Sequence, residues 1–173
     1  MTGAEIGAII SRELRALERE LQAYGSDEQV WLQPAGLPNS AGTLALHAAG
    51  NLLHFVGGVL GHTGYVRDRD GEFSTRGVSR RELIAAIHRA DSAVSAVLDT
   101  FPSERLQEPY PLPVANRRQL TGAFLLHLAA HLAYHLGQVD FHRRIVTGDV
   151  AGVGAVSPAE LPGSAPIESV AQG

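Results

Sequence analysis

The sequence predicts an all-α protein: a four-helix bundle with long ordered connections and a C-terminal tail rich in Gly, Ala and Pro. Three observations point there. Several segments carry apolar residues at steps of three and four, the period of a helix with one buried face. No stretch shows a convincing strand alternation. One long segment, Phe124 to Arg144, mixes apolar residues with polar positions on a single stripe, as bundle helices that build a site do.

The first helix is expected from Ala4 to Tyr24, where Ile6, Ile10, Leu14, Leu17, Leu21 and Tyr24 share a face and Arg12, Arg15, Glu18, Arg19 and Gln22 fall elsewhere. Gly25 and Ser26 end it. Asp27 to Thr43, with Pro34, Gly36, Pro38 and Gly42, reads as a connection, and Trp31 within it packs over one end of the core. A second helix runs from about Leu44 to Leu60 on Leu46, Leu53, Val56 and Leu60. Its glycines at 50, 57 and 58 weaken its propensity and suggest close approach of a neighbour.

His62 to Gly77 is charged, glycine-rich and without a period, so it reads as a long ordered loop near the site. Ser79 and Glu82 form a capping box for the third helix, which carries Leu83, Ile84, Ile87, Val94, Val97, Leu98 and Phe101 until Pro102 stops it. Ser103 to Ala115 is extended, proline-rich connection. Asn116 and Gln119 are expected to cap the last helix, roughly Gln119 to Val146, with Gly148 as its terminator. Residues 1–148 thus read as one domain. Residues 149–173 read as a tail, flexible by composition unless it lies along the domain or a partner.

Composition narrows the chemistry. The chain of 173 residues has a net charge of −4, from 14 basic and 18 acidic residues, and no Lys, so side-chain Schiff-base chemistry is excluded. A slightly acidic chain without a basic run offers no footprint for nucleic acid or an anionic membrane. Cysteine is absent, so no disulfide, thiolate nucleophile or Cys-ligated zinc can form, and any metal must be held by His, Asp or Glu. Nothing at the N-terminus resembles a secretory signal, and the most apolar window, Thr43 to Leu60, contains His47, Asn51 and His54. A cytoplasmic location without a membrane span is the expectation.

Four of the 8 histidines fall in the last helix: His127, His131, His135 and His142. Steps of four and seven put them on one stripe. Two histidines at i and i+4 have Cβ atoms roughly 5–6 Å apart, close enough for both rings to reach one ion at about 2.0–2.1 Å. On spacing alone, the pair 127/131 serves as well as 131/135. A histidine from the second helix, His47 or His54, can complete the set across a bundle interface of about 8–10 Å. His54 is seven residues beyond His47, a rise of about 10 Å, so the two do not share an ion. His62 and His88 read as solvated.

The run HLAYHLGQ, His131 to Gln138, resembles the H-x-x-x-H-x-G-Q pattern of the DinB superfamily of small helical-bundle proteins. LHAAGNLLHFVGG before the loop and RDRDGEF within it resemble the DUF1572 branch in particular. The resemblance implies a commonly dimeric four-helix bundle that holds a divalent metal on three histidines. Matched residue by residue, these are His47, His131 and His135. Zn or Ni leads as the ion, with Fe or Mn also compatible, because imidazole accepts several metals alike.

Three neutral imidazoles leave coordination positions open, as a catalytic site does and a closed structural one does not. Zn²⁺ would lower the pKa of bound water toward roughly 7, or equally hold a substrate thiolate. Gln138 is placed to orient a ligand, and Asp70 and Glu72 to supply a base or a partner for an imidazole N–H. Arg67 and Arg69 could grip a substrate carboxylate, although a solvated charged loop explains RDRDGEF as well. His54, His127, Tyr134 and His142 line the pocket or serve packing. The resemblance implies two chemistries on a small-molecule substrate: a transferase or isomerase using a low-molecular-weight thiol, or a metal-dependent hydrolase. The competing class is a non-catalytic bundle, or a homodimer, held together by its metal.

Overall fold

The computed structural model describes residues 1–166. Its long helices are α1 (Gly3–Gln22), α3 (Ala41–Leu52) with a π-helical continuation (Leu53–Leu60), α5 (Arg80–Leu98) and α6 (Thr121–Thr147); α2 (Asp27–Trp31) and α4 (Arg69–Ser74) are short. Helices α1 and α3 each pack along both α5 and α6, and α4 lies against α3. This all-α helical bundle buries the apolar stripe expected of α1, from Ile6 to Leu21. It meets Leu83, Ile87, Val94 and Leu98 of α5 and Leu125, Leu128, Leu132 and Val139 of α6. Fully burying a side chain of this kind stabilises by about 1.5–3 kcal/mol, so the interior apolar stripes hold the bundle together.

Several boundaries differ from expectation, each for a local reason. Asp27–Trp31 is a helix and not connection, because Asp27 and Glu28 occupy its positively polarised first turn and Arg80 Nε reaches Asp27 Oδ1 at 2.7 Å. Trp31 does pack on the core: its indole N–H donates to Val78 O at 2.8 Å, and a Cβ on Gly42 would stand 2.7 Å from its ring. Within the expected loop, Asp68 caps α4 by accepting from Gly71 N. One turn and a half is too short to show a period. The capping box of Ser79 and Glu82 forms as read.

The second long helix is α-helical only to Leu52. Beyond it the hydrogen bonds widen by one residue, as in Gly61 N to Val56 O at 2.9 Å, and the Phe55 carbonyl accepts from Tyr110 O–H at 2.6 Å. Gly57 and Gly58 lower the α preference there and admit Ala93 and the Tyr65 backbone. By length and composition Ala41–Leu60 could cross a membrane, but 67% of its most apolar window is buried inside the bundle.

Neither Asn116 nor Gln119 caps α6. Ala115 and Asn116 have φ of 51° and 59° in a tight turn that pairs Val114 with Arg117, Gln119 bonds Val114 O, and Leu120 stands at the cap. At the other end, Gly148 closes the helix at φ 73°.

One feature escaped the pattern altogether. Arg12, Glu13, Glu20 and Arg143 are buried, and Arg143 Nε meets Glu20 Oε2 at 2.5 Å with both side chains 0% exposed. Of the two alternatives for the tail, its described part takes the one along the domain and is tied down as far as Glu160. Arg143 bonds the carbonyls of Asp149 and Ala151, Arg144 that of Val150, and Arg19 those of Val153 and Gly154 as well as the Glu160 carboxylate. Arginine donors on α1 and α6 satisfy the backbone of a segment that has few apolar residues to bury. Residues 167–173, the end of the expected tail, lie outside the described residues.

Candidate metal centre

His47 sits on α3, and His131 and His135 sit one turn apart on α6, facing it. His47 Nε2 is 3.4 Å from His131 Nε2, and His131 Nε2 is 3.1 Å from His135 Nε2. The ligand-capable atoms of all three lie within 4.8 Å of one another. Ligand nitrogens bound tetrahedrally at about 2.0–2.1 Å stand about 3.3 Å apart, so the spacing suits one ion. The triad is therefore able to coordinate a metal. The ambiguity of spacing is resolved in favour of 131/135, and His127 stays outside the cluster.

Hydrogen bonds on the far side of two rings aim the ligand nitrogens. Glu72 Oε2 accepts from His47 Nδ1–H at 3.0 Å, and Gln138 Oε1 accepts from His135 Nδ1–H at 2.7 Å. Each bond places the proton on Nδ1 and leaves a lone pair on Nε2, directed at the centre. Arg67 grips Glu72 with Nε to Oε1 at 2.7 Å and an Nη to Oε2 at 2.8 Å. This fork holds both carboxylate oxygens, and the Nη that reaches Oε2 lies 3.3 Å from His47 Nδ1.

Electrostatics favour the neutral form of His131 and His135. Burial, then the proximity of His135 and His47, pushes the His131 pKa down to about 4. Burial also lowers His135, against the opposing bond from Gln138. For Glu72, burial acts to raise the pKa, but the bonds from Arg67 and His47 outweigh it and hold the carboxyl below its ordinary value. An ionised Glu72 flanked by Arg67 and His47 is a fixed acceptor.

The remaining candidates are spread around this core. Asp70 is exposed in the first turn of α4, and its backbone carbonyl accepts from Ser74. Arg69 lies over the Phe73 ring at 5.0 Å, and Phe73 in turn packs on His47 with ring centres 4.8 Å apart. Tyr134 is 66% exposed. His127 is exposed and stacks on Phe124, its ring centre 6.1 Å from that of His131.

His54 packs on Phe55, and its Nδ1 is buried without a hydrogen bond among the described residues. Because the α-helix ends at Leu52, seven residues no longer measure two α-turns from His47 to His54. His142 is a pin. Its Nδ1 accepts from Tyr24 O–H at 2.7 Å and its Nε2 donates to Leu32 O at 2.8 Å, tying α6 to the chain just after α1 and to the end of α2. His88 pairs at the surface with Glu18, and His62 is exposed.

The close neighbour that Gly50 suggested is a carboxylate of the site, a partner the sequence did not identify. A Cβ on Gly50 would stand 2.2 Å from Glu72 Oε1, so the bare backbone of α3 makes room for the carboxylate that steers His47.

A family model described as the DinB superfamily matches residues 10–139, which span all three histidines. No curated protein and no solved structure matches the chain.

Proposed function

The chain belongs to the DinB superfamily, and from that premise we propose that it is a metal-dependent enzyme acting on a small molecule. The observation that carries the reading is the donor set: three imidazole Nε2 atoms converge, and two of the rings have their tautomer fixed by Glu72 and Gln138. Three neutral donors leave room for further ligands, the pattern of catalytic and not closed structural sites. A divalent ion held there, Zn or Ni before Fe or Mn, would act as a Lewis acid that lowers the pKa of a thiol or water reaching its open side.

The chain's own residues then have defined tasks. His47, His131 and His135 would hold the ion. Glu72, clamped by Arg67, and Gln138 are positioning residues that fix two of the ligands. Glu72 is occupied on both oxygens, which argues for orientation over proton abstraction. The lack of both Lys and Cys fits a mechanism whose nucleophile is a cosubstrate thiol or water. Thiol-dependent transfer or isomerisation and hydrolysis are the two chemistries to test.

A second reading, a non-catalytic bundle stapled by its metal, draws on one observation: the triad bridges α3 and α6, so an ion there would cross-link two long helices. Assays with low-molecular-weight thiols plus electrophiles, and with esters, each with and without added Zn²⁺ or Ni²⁺, separate the two. Metal-dependent turnover lost in His131→Ala supports the enzyme. Stoichiometric metal that raises the melting temperature without turnover supports the staple.

A further inference from the structure

One turn along α6 from His135, a cavity of about 330 Å³ opens between the chain before α3 and the outer face of α6. Leu37, Leu44, Tyr134 and Phe141 supply its apolar walls, and Asn39 and Gln138 its amides. No charged side chain lines it among the described residues. His142, at its base, has both ring nitrogens already bonded, and burial keeps its pKa low, so it adds a neutral wall. The volume lies at the lower end of the range for small-molecule sites, about 300–1,000 Å³.

Gly137 lines this cavity and differs from the other glycines inside helices. At Gly42 and Gly50 an added Cβ would collide with Trp31 and Glu72, so packing within the chain explains the missing side chain. At Gly137 an added Cβ meets nothing within 4 Å. A glycine inside a helix costs roughly 0.5–1 kcal/mol relative to alanine, and here no protein atom uses the space it leaves. Gln138 adds direction. Its Oε1 is engaged by His135, while its Nε2 makes no hydrogen bond among the described residues and remains a donor at the cavity wall.

We propose that this cavity is the binding subsite for an uncharged, apolar ring or short chain carrying a hydrogen-bond acceptor, such as a neutral carbonyl. The proposal rests on the metal-dependent reading only in calling that group part of the substrate; the pocket stands on its own geometry. Apolar contact supplies the affinity, the Gln138 amide the orientation, and the absence of a countercharge discriminates against anions. Gln138 touches both the subsite and a metal ligand, which places the bound group beside the centre.

The test is a titration of the full chain, followed by backbone-amide NMR, with acetophenone as neutral probe and benzoate as its anionic counterpart. Metal content is measured on the same samples. The expected result is saturable acetophenone shifts at Leu44, Gln138 and Phe141, with benzoate weaker. Gly137→Leu, which fills the space with a better helix former, should bind acetophenone roughly tenfold more weakly or worse while retaining metal. Phe141→Ser removes a wall at a 68% exposed position, carries little folding risk, and should weaken it as well.

Undiminished binding in both variants overturns the proposal, as does benzoate binding as tightly as the ketone. Absence of saturable shifts overturns it too, including the case in which a second copy of the chain is found covering Tyr134 and Phe141. Acetophenone bound to wild-type protein that takes up no metal would leave the subsite standing and remove the metal-dependent reading. Metal without acetophenone would do the reverse.

Discussion

Gly50 and Glu72 occupy one space: a Cβ on the first would lie 2.2 Å from Oε1 of the second. The carboxylate cannot retreat freely, because Arg67 and His47 hold both of its oxygens. An alanine at position 50 suits the helix but displaces the group that fixes the His47 tautomer. Gly50→Ala should therefore keep the fold and weaken metal binding by about 10–100-fold, the usual effect of losing an outer partner of a ligand. Competition with a chelating dye measures it. Unchanged affinity would mean that Glu72 does not steer His47.

Removing the charge of Glu72 tests the same link chemically. In Glu72→Gln, one end of the amide can still accept from His47, but Arg67 loses its ionic partner and His47 a charge-assisted bond. Metal affinity should fall again, with Glu72→Ala worse than Glu72→Gln. Equal affinities for the two variants would reduce the carboxylate to packing.

How much of this was legible in the sequence depends on the distance between cooperating residues. His131 and His135 are one turn apart, so helical period alone makes them a candidate pair, and family resemblance was needed only to choose them over His127 and His131. The apolar stripe of α1 was equally plain. The Gly50–Glu72 contact was not, because the partners lie on different helices and one of them, α4, is too short to show a period. Arg12 fell off the apolar stripe, and nothing marked Glu13, Glu20 or Arg143 for burial, because their partners are invisible until the helices pack. The π-helical stretch after Leu52 likewise leaves no mark in an apolar run that suits either helix type.

Acid should act through His131. Its pKa is lowered from an ordinary value near 6.5 to about 4, chiefly by burial, so the unfolded chain binds its proton first as pH falls. Stability of metal-free protein from this group is complete above about pH 6.5 and is lost progressively down to about pH 4, on the order of 3 kcal/mol. Urea unfolding at pH 7.5, 5.5 and 4.5 should show a steeper decline for wild type than for His131→Asn. Parallel curves would contradict the assignment.

The Arg143–Glu20 pair should matter for folding but not for metal. Glu20→Gln leaves a buried guanidinium with Asp140, the Asp149 carboxylate at 3.9 Å and backbone carbonyls as partners and should cost about 3–5 kcal/mol. The double variant Glu20→Met/Arg143→Leu should recover much of that loss. Denaturant midpoints report both, and metal stoichiometry in the surviving folded protein should match wild type.

The most direct measurement is anomalous diffraction from crystals of the metal-loaded chain. The expected result is a single strong peak about 2.0–2.2 Å from the Nε2 atoms of His47, His131 and His135, with at least one further coordination position free of protein. A peak ligated instead by His54, His127 or acidic residues, or no peak at full metal loading, would contradict it.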